Sequence, residues 1–119
     1  MDWKFSDDRP IWLQLSEQLA RRIVTGTYPP GSKLPSVREL AAEAGVNPNT
    51  MQRALAQLEQ DGLAKADRTA GRTVTGDTGV IEAARLAYAK VNITAYFDAM
   101  ADLGFTRQAA VELVREAEV

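Results

Sequence analysis

The stretch Ser36–Leu58, SVRELAAEAGVNPNTMQRALAQL, holds two helix starts and one helix end in close succession. Ser36-Val37-Arg38-Glu39 has the form of a capping box, in which the serine oxygen and the glutamate three residues on satisfy orphan amides of the first turn. The helix it opens puts Val37, Leu40, Ala41 and Ala44 on one face, then meets Gly45, the residue type that takes the left-handed position just past a helix end. After Val46, Asn47 supplies a side-chain oxygen for the next N-cap, and Pro48 suits a first helical position, where its missing donor costs nothing. Met51, Ala54, Leu55 and Leu58 then recur at i, i+3, i+4 and i+7, which predicts an amphipathic helix to about Gln60.

Two short helices joined through Gly45 make a helix-turn-helix, whose second helix enters the DNA major groove. Between Val46 and Leu58 the outward residues are Asn47, Asn49, Thr50, Gln52, Arg53 and Gln57, with no acid to repel phosphate. Their amides, hydroxyl and guanidinium match the hydrogen-bonding groups of base edges. Such a face also fits the solvated side of any amphipathic helix, so the neighbouring elements carry weight. Arg38, in the first turn of the preceding helix, adds a cation close to the reading helix.

Upstream, Pro10 at a first helical position opens a segment in which Ile11, Leu15, Leu19 and Ile23 recur every four residues, a first helix ending near Gly26. The lead before it, with Asp2, Asp7 and Asp8, reads as a flexible polar segment. Thr27-Tyr28-Pro29-Pro30-Gly31 cannot continue a helix. Downstream, Asp61-Gly62 ends the third helix, and Leu63–Ala66 and Arg72–Thr75 read as short strands around a loop centred on Thr69-Ala70-Gly71. This hairpin would be a wing, with Arg68 and Arg72 flanking Gly71, a residue that lets the backbone approach a phosphate closely. Gly76-Asp77-Thr78-Gly79 reads as a hinge, after which Val80 to Leu103 has neither proline nor glycine and predicts a long helix. Gly104 ends it, and Thr106 caps a last helix carrying Ala110, Leu113, Val114 and Ala117. The expected fold is mainly α with a small β-hairpin: a winged helix-turn-helix DNA-binding domain over residues 1–75 and a two-helix dimerisation module over residues 76–119.

These blocks resemble the GntR family of bacterial transcription regulators. The resemblance is carried by Leu34-Pro35-Ser36-Val37-Arg38-Glu39-Leu40-Ala41, Gly45-Val46-Asn47-Pro48-Asn49-Thr50 and Leu58-Glu59-Gln60-Asp61-Gly62-Leu63, and by their spacing. Pro10-Ile11-Trp12-Leu13-Gln14-Leu15 and Pro30-Gly31-Ser32-Lys33-Leu34-Pro35 extend it upstream, and the short two-helix tail looks like the YtrA-type subfamily. The resemblance implies that Arg38, the start of the third helix at Asn47, Pro48, Asn49 and Thr50, its exposed Gln52 and Arg53, and the wing around Arg68, Gly71 and Arg72 touch DNA. It also makes Lys33 and Ser36 phosphate neighbours. The wing departs from the family pattern: Thr69 stands where a first glycine is usual and Thr73 where an aromatic is usual. Larger relatives attach ligand-binding or aminotransferase-like domains, for which this chain has no room, so no pyridoxal lysine is expected.

Composition narrows the remaining classes. The chain has 119 residues and neither cysteine nor histidine, which removes disulfides, thiolate nucleophiles and the commonest metal ligand and general base. No enzyme activity, metal or cofactor is expected. There is no apolar run of about 18 residues, and the start is too polar for a signal peptide, so a cytoplasmic protein, nucleoid-associated when bound to DNA and without membrane attachment, is expected. The net charge of −2 looks unsuited to a nucleic-acid binder, but it is unevenly spread. Residues 1–75 carry ten Lys/Arg against nine Asp/Glu, whereas residues 76–119 carry four against seven.

The long helix distributes apolar groups on two stripes, Val80, Ala84, Ala87, Tyr88, Val91 and Ala95 on one and Leu86, Ile93, Phe97 and Met100 on the other. Two stripes suggest two partners: the last helix and a symmetry mate. Tyr88, Val91, Tyr96, Phe97 and Met100 are the expected dimer contacts. The expected function is therefore a transcription regulator, a repressor, that binds a pseudo-palindromic operator as a homodimer. Tyr88, Tyr96 and the carboxylates of the acidic tail leave an unknown small-molecule effector possible, but no ligand motif is present and none is assigned. The rival reading is a protein-interaction adaptor with a degenerate wing and no DNA binding.

Overall fold

The computed structural model describes residues 2–69 and 71–117; Ala70, at the centre of the expected hairpin loop, lies outside them. Five helices and one hairpin follow in the order α1 (Ile11–Val24), α2 (Val37–Ala44), α3 (Pro48–Gln60), β1 (Ala64–Asp67), β2 (Gly71–Val74), α4 (Thr78–Asp102) and α5 (Arg107–Glu116). Their contacts define two compact units, Met1–Arg85 and Leu86–Val119.

In the first unit α3 packs against α1, α2 and β1. Leu15, Leu19 and Ile23 of α1 meet Met51, Leu55 and Leu58 of α3 in a core that also takes Leu34, Leu40 and Val74, all essentially inaccessible to solvent. Each such side chain contributes about 2 kcal/mol of transfer free energy. The capping box of α2 is complete: the Ser36 hydroxyl oxygen accepts from Glu39 N–H and the Glu39 carboxylate accepts from Ser36 N–H, both at 3.1 Å. Gly45 ends α2 at φ 69° and ψ 36°. Asn47 opens α3 by accepting from Asn49 N–H at 2.8 Å, with Pro48 as its first helical residue.

Three boundaries differ from expectation. Pro10 sits one place before α1, its ψ of 138° being extended rather than helical. Each strand is displaced by one residue toward the turn, with Ala64 opposite Val74 and Asp67 opposite Gly71. The Asp67 carboxylate closes that turn by accepting from Thr69 N–H and Thr69 Oγ1, both at 2.9 Å. The expected hinge is mostly helix: Asp77 accepts from Gly79 N–H at 2.9 Å and from Val80 N–H at 3.3 Å, so Thr78 and Gly79 form the first turn of α4.

Two further features had no place in the sequence expectations. The connector after α1 lies along the outer edge of β2, with Leu34 N–H donating to Arg72 O at 2.9 Å and Val74 N–H to Ser32 O at 2.8 Å. Lys33 thereby bridges Thr73, giving the hairpin a third edge. The N-terminal lead is not free. Gln18 exchanges hydrogen bonds with Lys4 N–H and O, and Gln14 accepts from Ser6 N–H while donating to Ser6 O and Arg9 O. Two glutamines one helical turn apart thus hold alternate residues of an extended strap. Trp3 stacks on Phe5, lies 4.1 Å from the buried Arg22 guanidinium and donates to Glu43 at 2.7 Å.

The second unit is a helical pair. The one buried residue of α4, Ile81, lies in its first turns and belongs to the first unit, and in α5 only Ala110 is buried. Leu86, Val91, Ile93, Leu103, Phe105, Leu113 and Val114 all stand exposed.

Candidate nucleic-acid interface

The turn through Gly45 and the cap at Asn47 fix which face of α3 is free. Met51, Ala54, Leu55 and Leu58 are buried, which leaves Asn47, Pro48, Asn49, Gln52 and Arg53 exposed and Thr50 half-buried. Asn47 has committed its side-chain oxygen to the cap, so what it offers a partner is its amide NH2. Gln52 makes no side-chain hydrogen bond among the described residues and presents both donor and acceptor. Arg53 extends over the indole of Trp12 on α1, its guanidinium carbon 4.2 Å from the ring centroid.

The charges divide into spent and unspent groups. Glu17 pairs with Arg9 at 2.7 Å, Glu43 with the buried Arg22 at 3.0 Å, and Glu59 with Arg72. Arg22 also donates to the Tyr28 hydroxyl at 2.8 Å. Among the described residues, Lys33, Arg38, Arg53 and Arg68 form no ion pair and no side-chain hydrogen bond. Glu17, Glu43 and Glu59 are thus held by arginines of the fold, whereas Lys33, Arg38, Arg53 and Arg68, around α2, α3 and the hairpin, form no ion pair among the described residues. An anionic partner responds to local potential more than to the net charge of the chain.

Lys33, Ser36, Gly71 and Arg72 come together around one hollow of about 400 Å³ between the start of α2 and the hairpin. Ser36 Oγ accepts from Glu39 N–H in the cap, and its hydroxyl also stabilises the Glu39 carboxylate. Arg72 is half-buried and held by Glu59, so it ties the hairpin to the end of α3. Arg68 is exposed in the hairpin turn, outside that hollow. Thr73 is buried and its hydroxyl has no partner among the described residues. Sequence reasoning passed over Glu59 and Trp12, which hold Arg72 and Arg53. Neither interrupts the helical period, and only the packing of one element on another reveals them.

Several carboxylates titrate below their usual range. The backbone N–H and hydroxyl of Ser36 stabilise ionised Glu39, and the Arg9 guanidinium does the same for Glu17. Burial pushes Glu43 up, but hydrogen bonds from Arg22 and Trp3 outweigh it and leave it lowered.

In the second unit, Tyr96 donates its hydroxyl to Ala110 O at 2.7 Å, and Phe97 meets the Tyr96 ring edge-on at 5.4 Å. The Arg107 guanidinium lies 4.2 Å from the Phe97 ring centroid. Tyr88 and Met100 are half-buried, whereas Val91 is 65% exposed. Ile93, Tyr96, Phe97, Val111 and Val114 line an open, almost wholly apolar groove of about 500 Å³. Among the described residues no group of acids could hold a metal ion, and no helix is long and apolar enough to cross a membrane.

Comparison with known proteins agrees with this arrangement. A Bacillus subtilis HTH-type transcriptional regulator, YhcF, is 31% identical over 115 residues, covering 97% of this chain and 95% of that one. The B. subtilis repressor YtrA is 39% identical over 66 residues, 56% of this chain and 51% of the repressor. A GntR family regulator from Listeria monocytogenes superposes with a TM-score of 0.84 at 38% identity, covering 96% of this chain and all of that one. The DNA-binding domain of AraR in complex with an operator superposes with a TM-score of 0.55 at 26% identity, covering 63% of this chain and 92% of that one. Bacterial regulatory proteins of the gntR family match residues 12–74, the span from Trp12 to the end of β2, and the chain belongs to that family as a DNA-binding transcriptional regulator with a winged helix-turn-helix.

Proposed function

We propose that the chain is a repressor that binds a pseudo-palindromic operator as a homodimer, with residues 1–75 on DNA and residues 76–119 holding the dimer. The start of α3 enters the major groove, where Asn47, Asn49, Thr50 and Gln52 meet base edges. Lys33, Ser36 and Arg38 contact phosphates beside it, and the hairpin, through Arg68 and Gly71, follows the flanking backbone. The observation that carries this reading is the acid-free exposed face of α3 flanked by Lys33, Arg38, Arg53 and Arg68, which form no ion pair among the described residues. The operator bound by a domain of the same fold supports it. The dimer rests on the exposed apolar residues of α4 and α5, which a lone helical pair leaves in water. Two α3 helices about a two-fold axis require half-sites about one helical turn apart. The repressor assignment follows the likeness to YtrA.

Fluorescence anisotropy against a pool of duplexes at two salt concentrations tests the reading. Sequence-selective binding that weakens steeply with salt is expected, and Gln52→Ala should lose about 1–3 kcal/mol of discrimination at one base pair per half-site while binding random duplex unchanged. Failure to bind any duplex would favour the adaptor function instead.

A further inference from the structure

Arg53 occupies an unexpected place for a residue of a reading helix. At 3.6 residues per turn it leaves α3 about 150° from the centre of the buried stripe formed by Met51, Ala54, Leu55 and Leu58. Extended straight outward, its guanidinium would join Asn49 and Gln52 in front of the base edges. The side chain instead turns sideways onto α1 and lies 4.2 Å from the centroid of Trp12, the second residue of that helix. No carboxylate competes for it: the first turn of α1 holds none, Glu17 belongs to Arg9, and Glu59, the acid of α3, belongs to Arg72.

A guanidinium resting a face on an aromatic ring keeps its N–H groups free at the edge, because its donors lie in its own plane. The indole attracts the cation through its π face and removes rotamers that a free arginine would otherwise lose on binding. We propose that Trp12 is a positioning residue for DNA binding, holding Arg53 at the α1 side of the reading helix so that its outer edge takes a backbone phosphate rather than a base. The inference rests on the placement of α3 in the major groove proposed above. Trp12 itself need not touch DNA.

A double-mutant cycle tests it: Trp12→Leu, Arg53→Ala and the double variant, with Trp12→Phe as the conservative control, each checked for fold by circular dichroism melting. Binding is read by anisotropy on a selected duplex and on a random-sequence duplex across a salt series. Arg53→Ala is expected to weaken both duplexes by roughly tenfold and to flatten log K against log salt by about 0.9 per protomer. Trp12→Leu should weaken both several-fold in the wild-type background and have no effect where Arg53 is already alanine, and Trp12→Phe should restore most of the loss. In a Trp3→Phe background the emission of the remaining indole should shift when Arg53 is replaced. Equal loss from Trp12→Leu with or without Arg53 would overturn the proposal and assign Trp12 to the core. A change in sequence preference without a change in salt slope would overturn it by making Arg53 a base reader. Absence of any duplex binding by the wild type would overturn the DNA-binding reading and this inference together, whereas wild-type binding with an additive cycle overturns this inference alone.

Discussion

Gly45 shows how one residue sets the geometry of the interface. Its φ of 69° and ψ of 36° lie in the left-handed region, and a Cβ built there would meet nothing within 4 Å. Any cost of substitution is therefore conformational and not steric. Gly45→Ala should lower stability by about 1 kcal/mol and Gly45→Asn by less, because asparagine tolerates this conformation better. Urea unfolding of both variants checks this; equal losses would mean that the turn, and not the dihedral, responds. The same residue was legible in the sequence because a glycine between a finished apolar stripe and a fresh N-cap has few other uses. Arg53 was legible only in part. Its exposure follows from the period of α3, but its rest on Trp12 depends on where α1 crosses that helix, which no local pattern encodes.

At the scale of elements, starts and ends were read closely wherever a side chain makes a local bond to the backbone. Ser36, Glu39, Asn47 and Thr106 all cap as their types and spacing imply, and α2, α3 and α5 begin where expected. The start of α4 was missed because Asp77, a good cap, stands between two glycines and reads as part of a hinge. The third edge of the hairpin was missed because the pairing of Ser32–Leu34 with β2 joins residues about forty apart in the chain. The strap on α1 escaped for the same reason: Gln14 and Gln18 look like solvated glutamines until an extended backbone is laid beside them. Capping also links α2 to pH. In the folded chain Glu39, Glu17 and Glu43 lie below their ordinary values, held there in turn by Ser36, by Arg9, and by Arg22 with Trp3 against burial. The unfolded chain therefore takes up protons first, and the stability these groups contribute is fully present above the ordinary glutamate value of 4.5 and is lost as pH falls through the lower folded values. Chemical-denaturation midpoints should fall as pH drops below about 4.5, and Glu39→Gln should make that decline shallower. A decline of unchanged slope in Glu39→Gln would place the titration in the other lowered carboxylates, Glu17, Glu43 and Asp8.

For the whole molecule, the two units carry opposite kinds of surface. The first closes a core from three helices and a hairpin and ties Glu17, Glu43 and Glu59 to arginines of its own fold. The second exposes large apolar residues along both α4 and α5, and a 25-residue helix with a single buried residue lacks the one-sided packing of an ordinary surface helix. Composition hinted at this through two apolar stripes, although Tyr96 and Phe97, expected between protomers, make their visible contacts with α5 of their own chain. Val91 is the cleaner probe, because at 65% exposure most of its surface is free of contact within the protomer. Val91→Asp should therefore leave the melting of the isolated fold within about 0.5 kcal/mol of wild type, while a two-fold axis would bring both introduced charges into one apolar contact. Sedimentation equilibrium should then report a mass near 13.0 kDa in place of twice that value. The variant should keep its affinity for a single half-site and lose the gain that a full operator provides, since two linked reading helices bind the second half-site at a high effective concentration. A dimer that survives the substitution would move the contact to the groove of Ile93, Val111 and Val114, and one that dissociates while still binding the full operator tightly would show that the two half-sites are read independently.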